Sequence, residues 1–186
     1  TIDTDPDRLD ADFWFGNLHK WVSAPLGVGV LRIAPRWQAV LRPLIVSWRD
    51  DEPYPYPWDM LGTVDPTSWL SALRAIEFFS KIGWERVRKA NHARMMYGRE
   101  LVMAELGVSP DEIRVDFLPL GVVPIHNMTG GRDGSAAVQA KIAEEFKVEV
   151  PISYIDEKYY LRISGMLYNA PKDYEALAIA VRKTFK

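Results

Sequence analysis

The chain has 186 residues, with 23 Lys or Arg against 25 Asp or Glu and a formal net charge of −2. That balance removes the electrostatic reason to expect nucleic acid or an anionic membrane as a partner. Cysteine is absent, which excludes disulfides, Cys-ligated zinc and a thiol nucleophile within this sequence and is compatible with a reducing, cytoplasmic setting.

The polar opening "TIDTDPDRLD" lacks the basic-then-apolar pattern of a secretory signal, and no apolar run approaches a membrane span. It starts without methionine and reads as a connector from the middle of a longer polypeptide. "ADFWFG" reads as a strand, with Phe13 and Phe15 on one side, Trp14 on the other and Gly16 as its end. "LGVGVLRI" reads as a second strand, in which Gly27 and Gly29 allow close approach to the backbone. Residues 48–63, "WRDDEPYPYPWDMLGT", form a stiff loop of prolines and aromatics. It reads equally as a pocket wall or as a dimer contact.

Asp65 is suited to cap a helix that begins at Pro66 and repeats Trp69, Leu73, Ile76 and Phe79 at helical spacing. Gly83 interrupts, and a second helix runs from Trp84 to Leu106 with Gly107 as its stop. "IRVDFLPLGVVPIHNM" suggests one or two strands, and "SAAVQAKIAEEF" a helix with Ser135 as its cap. "VEVPISYI" and "KYYLRIS" read as strands. The last helix carries a stripe of Tyr174, Leu177, Ala178, Val181 and Phe185. Asp173 and Glu175 in its first turn and Arg182 and Lys183 near its end suit the helix dipole. Strands alternating with helices give the class α/β, with a boundary near Gly83 that separates residues 1–83 from 84–186.

The chemistry concentrates in "GNLHKW". A lysine amine is a nucleophile only when deprotonated, and its ordinary pKa is about 10.4. Burial against Trp14, Phe15 and Trp21 would lower that value for Lys20 and suit it to Schiff-base chemistry. Such a lysine commonly pairs with pyridoxal phosphate, for which Asn17 and His19 could supply phosphate donors. Read from the residues alone, Lys20 is more readily one surface lysine among many. The three histidines are isolated, none at i, i+4 spacing, which disfavours a metal site. Gly62 and Thr63 precede a helix start, a natural anion site or an ordinary capped helix. Asp65, as the cap, would compete with phosphate for the same N–H groups. Arg162, between Leu161 and Ile163, would need an anion if buried; a substrate carboxylate or a structural salt bridge would each serve.

"GNLHKW" followed by "PLGVGVL" resembles the cofactor-lysine segment of the class V aminotransferase family, among the fold-type I pyridoxal phosphate enzymes. The flavour is that of its isopenicillin N epimerase-like and cysteine desulfurase-like branch. "GTVDPTSWLSALRAI" and "YYLRISGMLYNAPKDYEAL" resemble two later family segments, in the same order. The resemblance covers nearly the whole chain but only the C-terminal half of a member. It implies that residues 1–83 are the C-terminal part of the cofactor-binding large domain and 84–186 the small α/β domain. It implies a Lys20 Schiff base with pyridoxal phosphate, Asn17 and His19 beside the phosphate, and Gly62 and Thr63 reaching the phosphate of a partner subunit in a homodimer with a shared active site. Arg162 would hold the carboxylate of an amino-acid substrate. The family's aspartate at the ring nitrogen and its ring-stacking residue have no counterpart in these 186 residues. The chain is therefore expected to be one part of a longer or split enzyme or, as the alternative, a catalytically incomplete interaction module. Epimerase, transaminase and C–S lyase chemistry all fit. A persulfide-forming desulfurase does not, because no cysteine is present to accept the sulfur.

Overall fold

In "KYYLRIS" large apolar side chains alternate with polar ones, and alternation is what a sheet with one covered face requires. The computed structural model, which describes residues 4–60, 62–113 and 117–186, turns this stretch into a strand of the same length. The chain divides into two compact units, one ending at Ile82 and the other running from Gly83 to Lys186.

The first unit is built on an antiparallel hairpin, β1 (Phe13–Asn17) and β2 (Gly29–Ile33). Gly16 does not end β1: it pairs with Val30, and Asn17 pairs with Gly29. β2 in turn starts three residues later than the run "LGVGVLRI" suggests, because Gly27 adopts a left-handed turn conformation at φ +83°. The short helices α1 (Pro35–Gln38) and α2 (Tyr56–Asp59) precede α3 (Thr67–Ile82). α1 is tied to the hairpin through Asp12, whose carboxylate accepts hydrogen bonds from Trp37 Nε1 and Arg36 Nε. Those donors, the Trp37 indole first, hold the Asp12 carboxyl below its usual range. Of the stripe expected on α3, only Phe79 is buried. Trp69, Leu73 and Ile76 remain exposed at 47%, 60% and 37%.

The second unit has a three-stranded antiparallel sheet, β3 (Leu120–Ile125), β4 (Ile152–Ile155) and β5 (Lys158–Ser164), in the order β3-β5-β4. "IRVDFLPLGVVPIHNM" thus contributes one strand; Arg114, Val115 and Asp116 lie outside the described residues. The face carrying Val123, Ile125, Ile152, Tyr159, Leu161 and Ile163 is buried. It forms one core with side chains from α4 (Trp84–Leu106), α5 (Gly131–Phe146) and α6 (Pro171–Phe185). Gly107 closes α4 in the left-handed conformation, as its position suggests. α5 begins at Gly131 and not at Ser135. Gly130 and Gly131 provide the left-handed entry, which leaves Ser135 one turn inside the helix and 4% exposed. In α6 Tyr174, Leu177, Ala178 and Val181 are buried, and Asp173 accepts the Ala170 N–H at 2.9 Å. Gly165 lets the segment after β5 touch α4: a Cβ there would overlap the Asn91 carbonyl oxygen and lie 2.6 Å from the Met95 nitrogen. Among the described residues no helix is long and apolar enough to cross a membrane.

Candidate functional site

Lys20 sits in the connection between β1 and β2, and the backbone around it is firmly held. Leu18 N–H donates to the Val28 carbonyl at 3.0 Å, Ala24 N–H to the Leu18 carbonyl at 3.1 Å, and Ser23 N–H to the Lys20 carbonyl at 3.2 Å. Leu18, Ala24 and Val28 pack against Ala72 and Ala75 of α3. At the base of the connection Gly29 is needed for close approach, since a Cβ would stand 3.2 Å from the Gly16 carbonyl oxygen. Hence Asn17, His19 and Lys20 share one anchored turn.

The expected burial of Lys20 is not found. Lys20 is exposed, Phe15 is 77% exposed, and Trp14 and Trp21 are only half-buried. The reason is geometric. Period-two alternation sends Phe13 and Phe15 to the open side of the hairpin, and the lysine projects from a turn. His19 differs: its ring is half-buried, and Nδ1 is buried without a hydrogen-bond partner among the described residues. An orphaned ring nitrogen of this kind calls for an acceptor or donor that the described residues do not provide.

Gly62 and Thr63 are exposed, with Gly62 at φ +108°. Among the described residues no hydrogen bond joins them to Asn17, His19 or Lys20. Asp65 accepts the Thr67 N–H at 2.9 Å and also the Thr67 hydroxyl, although α3 itself begins at Thr67 and not at Pro66. The Thr67 hydroxyl and then its N–H hold the Asp65 carboxyl below its ordinary range. Its stabilising contribution is therefore present above the ordinary carboxylate pKa of about 3.9 and is lost as pH falls through the lower folded value. Asp65→Asn is expected to lower the thermal midpoint near neutral pH, with a difference from the parent that shrinks on acidification below about pH 4; thermal melts at several pH values check this.

The proline-rich loop joins the hairpin and α3 around an apolar cleft of about 660 Å³, lined among others by Leu18, Leu31, Tyr54, Trp58 and Trp69. One arginine fixes the loop's shape. Arg49 makes two 2.7 Å hydrogen bonds to the Glu52 carboxylate, and its guanidinium lies 4.1 Å from the centre of the Tyr56 ring. The hydrogen-bonded Arg49 keeps the Glu52 carboxyl below its usual range. The Arg49-x-x-Glu52 spacing is the sequence signal for this clamp.

Arg162 is also not buried. It lies on the open face of the sheet, across from Val122, while Leu161 and Ile163 point into the core. Among the described residues its guanidinium has no hydrogen-bond or ion-pair partner, so the structural salt bridge considered for it is not found there. It lines a cleft of about 430 Å³ in the second unit with Ser164, Tyr168 and Asn169.

The chain is 31% identical to isopenicillin N epimerase from Amycolatopsis lactamdurans, over 99% of this chain and 50% of that protein. It is 26% identical to putative L-cysteine desulfhydrase 2 from Oryza sativa subsp. japonica, over 98% of this chain and 43% of that protein. The proteins it is similar to are pyridoxal phosphate enzymes of the class V aminotransferase type. It spans about half the length of the curated relatives it matches, corresponding to their C-terminal half. The cysteine desulfurase CsdA from Escherichia coli superposes with a TM-score of 0.70 at 19% identity, over 97% of this chain and 47% of that one, which supports the fold-type I architecture. No family model matches the chain. The enzyme names of the class V relatives do not favour the reading of the chain as an interaction module.

The class V cofactor has two ends that the residues here can meet. The exposed Lys20 amine suits its aldehyde. The unfilled Nδ1 of His19, beside Asn17, suits a phosphate oxygen. The residues present therefore fit the aldehyde and phosphate ends of the group.

Proposed function

We propose that the chain supplies the cofactor lysine and the substrate-carboxylate arginine of a pyridoxal phosphate enzyme acting on an amino acid. In this reading Lys20 carries the cofactor as a Schiff base, and Asn17 and His19 hold its phosphate. Residues 1–83 are the C-terminal part of the large domain and 84–186 the small domain. Gly62 and Thr63 reach the phosphate of a partner subunit in a cytoplasmic homodimer. The observation that carries the reading is the hairpin turn, which joins a fixed backbone, an exposed amine and an orphaned His19 nitrogen. The epimerase and desulfhydrase among the relatives support α-carbon chemistry in this protein.

Bound at Lys20, pyridoxal phosphate draws electrons from the substrate α-carbon and makes its proton removable. With the cofactor held in this turn, the Lys20 amine would be the group placed to take and return the proton on that carbon. The Arg162 guanidinium holds the substrate carboxylate by paired N–H···O bonds and so fixes which face of the carbon is presented. Epimerisation, transamination and C–S lysis all begin with that proton transfer. Persulfide formation on the protein is ruled out for this chain by its lack of cysteine.

The test is borohydride reduction of the protein loaded with pyridoxal phosphate, followed by peptide mass spectrometry. A pyridoxyl group on Lys20 is the expected result, and a bare Lys20 or a tag at another lysine defeats the reading. A second prediction concerns Arg162. Arg162→Met is expected to raise KM for the amino acid by about 10- to 100-fold with a smaller change in kcat, as loss of a charged hydrogen-bonded pair does. Steady-state kinetics measure it.

A further inference from the structure

The segment that joins β5 to α6 is short and heavily fastened. Gly165 N–H donates to the Pro119 carbonyl at 2.8 Å. Asn169 closes a small ring on Met166, its N–H donating to the Met166 carbonyl at 2.9 Å and its Oδ1 accepting the Met166 N–H at 3.1 Å. Arg94 Nε donates to the Asn169 carbonyl at 3.1 Å, and the Tyr174 hydroxyl donates to the Ser164 carbonyl at 3.0 Å. At the tip of this fixed segment stands Tyr168, 76% exposed.

A large ring held rigidly in solvent gains little stability from burial. Rigid aromatics on fixed loops are instead effective binding surfaces, because little conformational freedom is lost when something lies against them. Tyr168 lines the same cleft as Arg162, whose guanidinium has no partner among the described residues. The other charged groups of the cleft are Glu149, Asp173 and Lys147. Asp173 is engaged by the Ala170 N–H, and Lys147 Nζ donates to the Glu144 carbonyl at 2.9 Å. Among the described residues of the cleft Arg162 is thus the cation whose side chain has no hydrogen-bond partner, and Tyr168 is the exposed ring.

We propose that Tyr168 is a specificity-determining residue: the carbon skeleton of the acid held by Arg162 lies against its ring. The inference rests on the reading of Arg162 as the carboxylate-binding residue and adds a preference for acids with a planar or bulky apolar flank over the smallest ones.

The test uses the 186-residue chain, labelled for NMR at arginine Nε and at the tyrosine rings, and titrated with sodium acetate and sodium benzoate at constant ionic strength. Both anions are expected to shift the Arg162 signal, with benzoate half-saturating at a concentration roughly fivefold lower, the scale of one aromatic contact. Tyr168→Ala is expected to bring the two anions to parity with an unchanged thermal midpoint, Tyr168→Phe to retain the preference, and Arg162→Met to abolish the shifts of the Tyr168 ring signal that benzoate causes in the parent. If Arg162 responds but Tyr168→Ala keeps the benzoate preference, Tyr168 has no such role and the carboxylate reading stands. If Arg162 responds to neither anion, the carboxylate reading fails and this inference falls with it.

Discussion

Lys20→Ala is expected to abolish the borohydride-trappable cofactor and to lower turnover by at least about 10³-fold, because in the proposed function one side chain both holds the cofactor and moves the α-proton. Lys20→Arg keeps the positive charge and the chain length but offers no amine for an imine bond, so it should be equally inactive. Because Lys20 is exposed, neither substitution should move the thermal midpoint. A variant that retained turnover with the cofactor trapped elsewhere would remove the basis of the proposed function. The comparison separates chemistry from folding, which a buried lysine would not have allowed.

Gly165→Ala is expected to cost about 3 kcal/mol or more, at the upper end of overpacking effects. The added methyl group meets the backbone of α4 at Asn91 and Met95, and helix backbone cannot swing aside as a long side chain can. For a unit of this size that corresponds to a fall in thermal midpoint of roughly 10 °C or more, measurable by calorimetry. The substitution also bears on Arg162 and Tyr168, since Gly165 lies between them in sequence. Loss of anion response in this variant would accompany loss of the fold, whereas Tyr168→Ala should affect binding alone.

Much of the second unit was legible in the sequence. "KYYLRIS" declared its alternation, and α6 declared its stripe because four of its five marked residues do enter the core. The α4 stop at Gly107 followed from glycine's tolerance of left-handed backbone. The failures share a cause. Aromatic or apolar neighbours in sequence suggest burial, yet in a strand the adjacent residues point the opposite way. Arg162 between two buried residues is for that reason on the open face, and Phe15 five residues before Lys20 covers nothing. Ser135 misled because a serine before an apolar run is a good cap signal, but two glycines able to take left-handed backbone started α5 four residues sooner. The three segments of the candidate site were recognisable one by one. What the sequence could not convey was which residues share a cleft: Arg162 with Tyr168, or Leu18 with Tyr54 and Trp58. Those meetings depend on folding geometry between distant positions.

The turn that carries Lys20 is pinned at its root by backbone hydrogen bonds and by packing on α3, while the lysine itself reaches into open space. Such a side chain works like a tether: four methylene groups let its amine visit two bonding partners in succession while the loop stays still. In the proposed function the exchange of the covalent bond itself would then set the pace, since moving the freed amine between partners needs only rotations of single bonds, which take picoseconds to nanoseconds in exposed side chains.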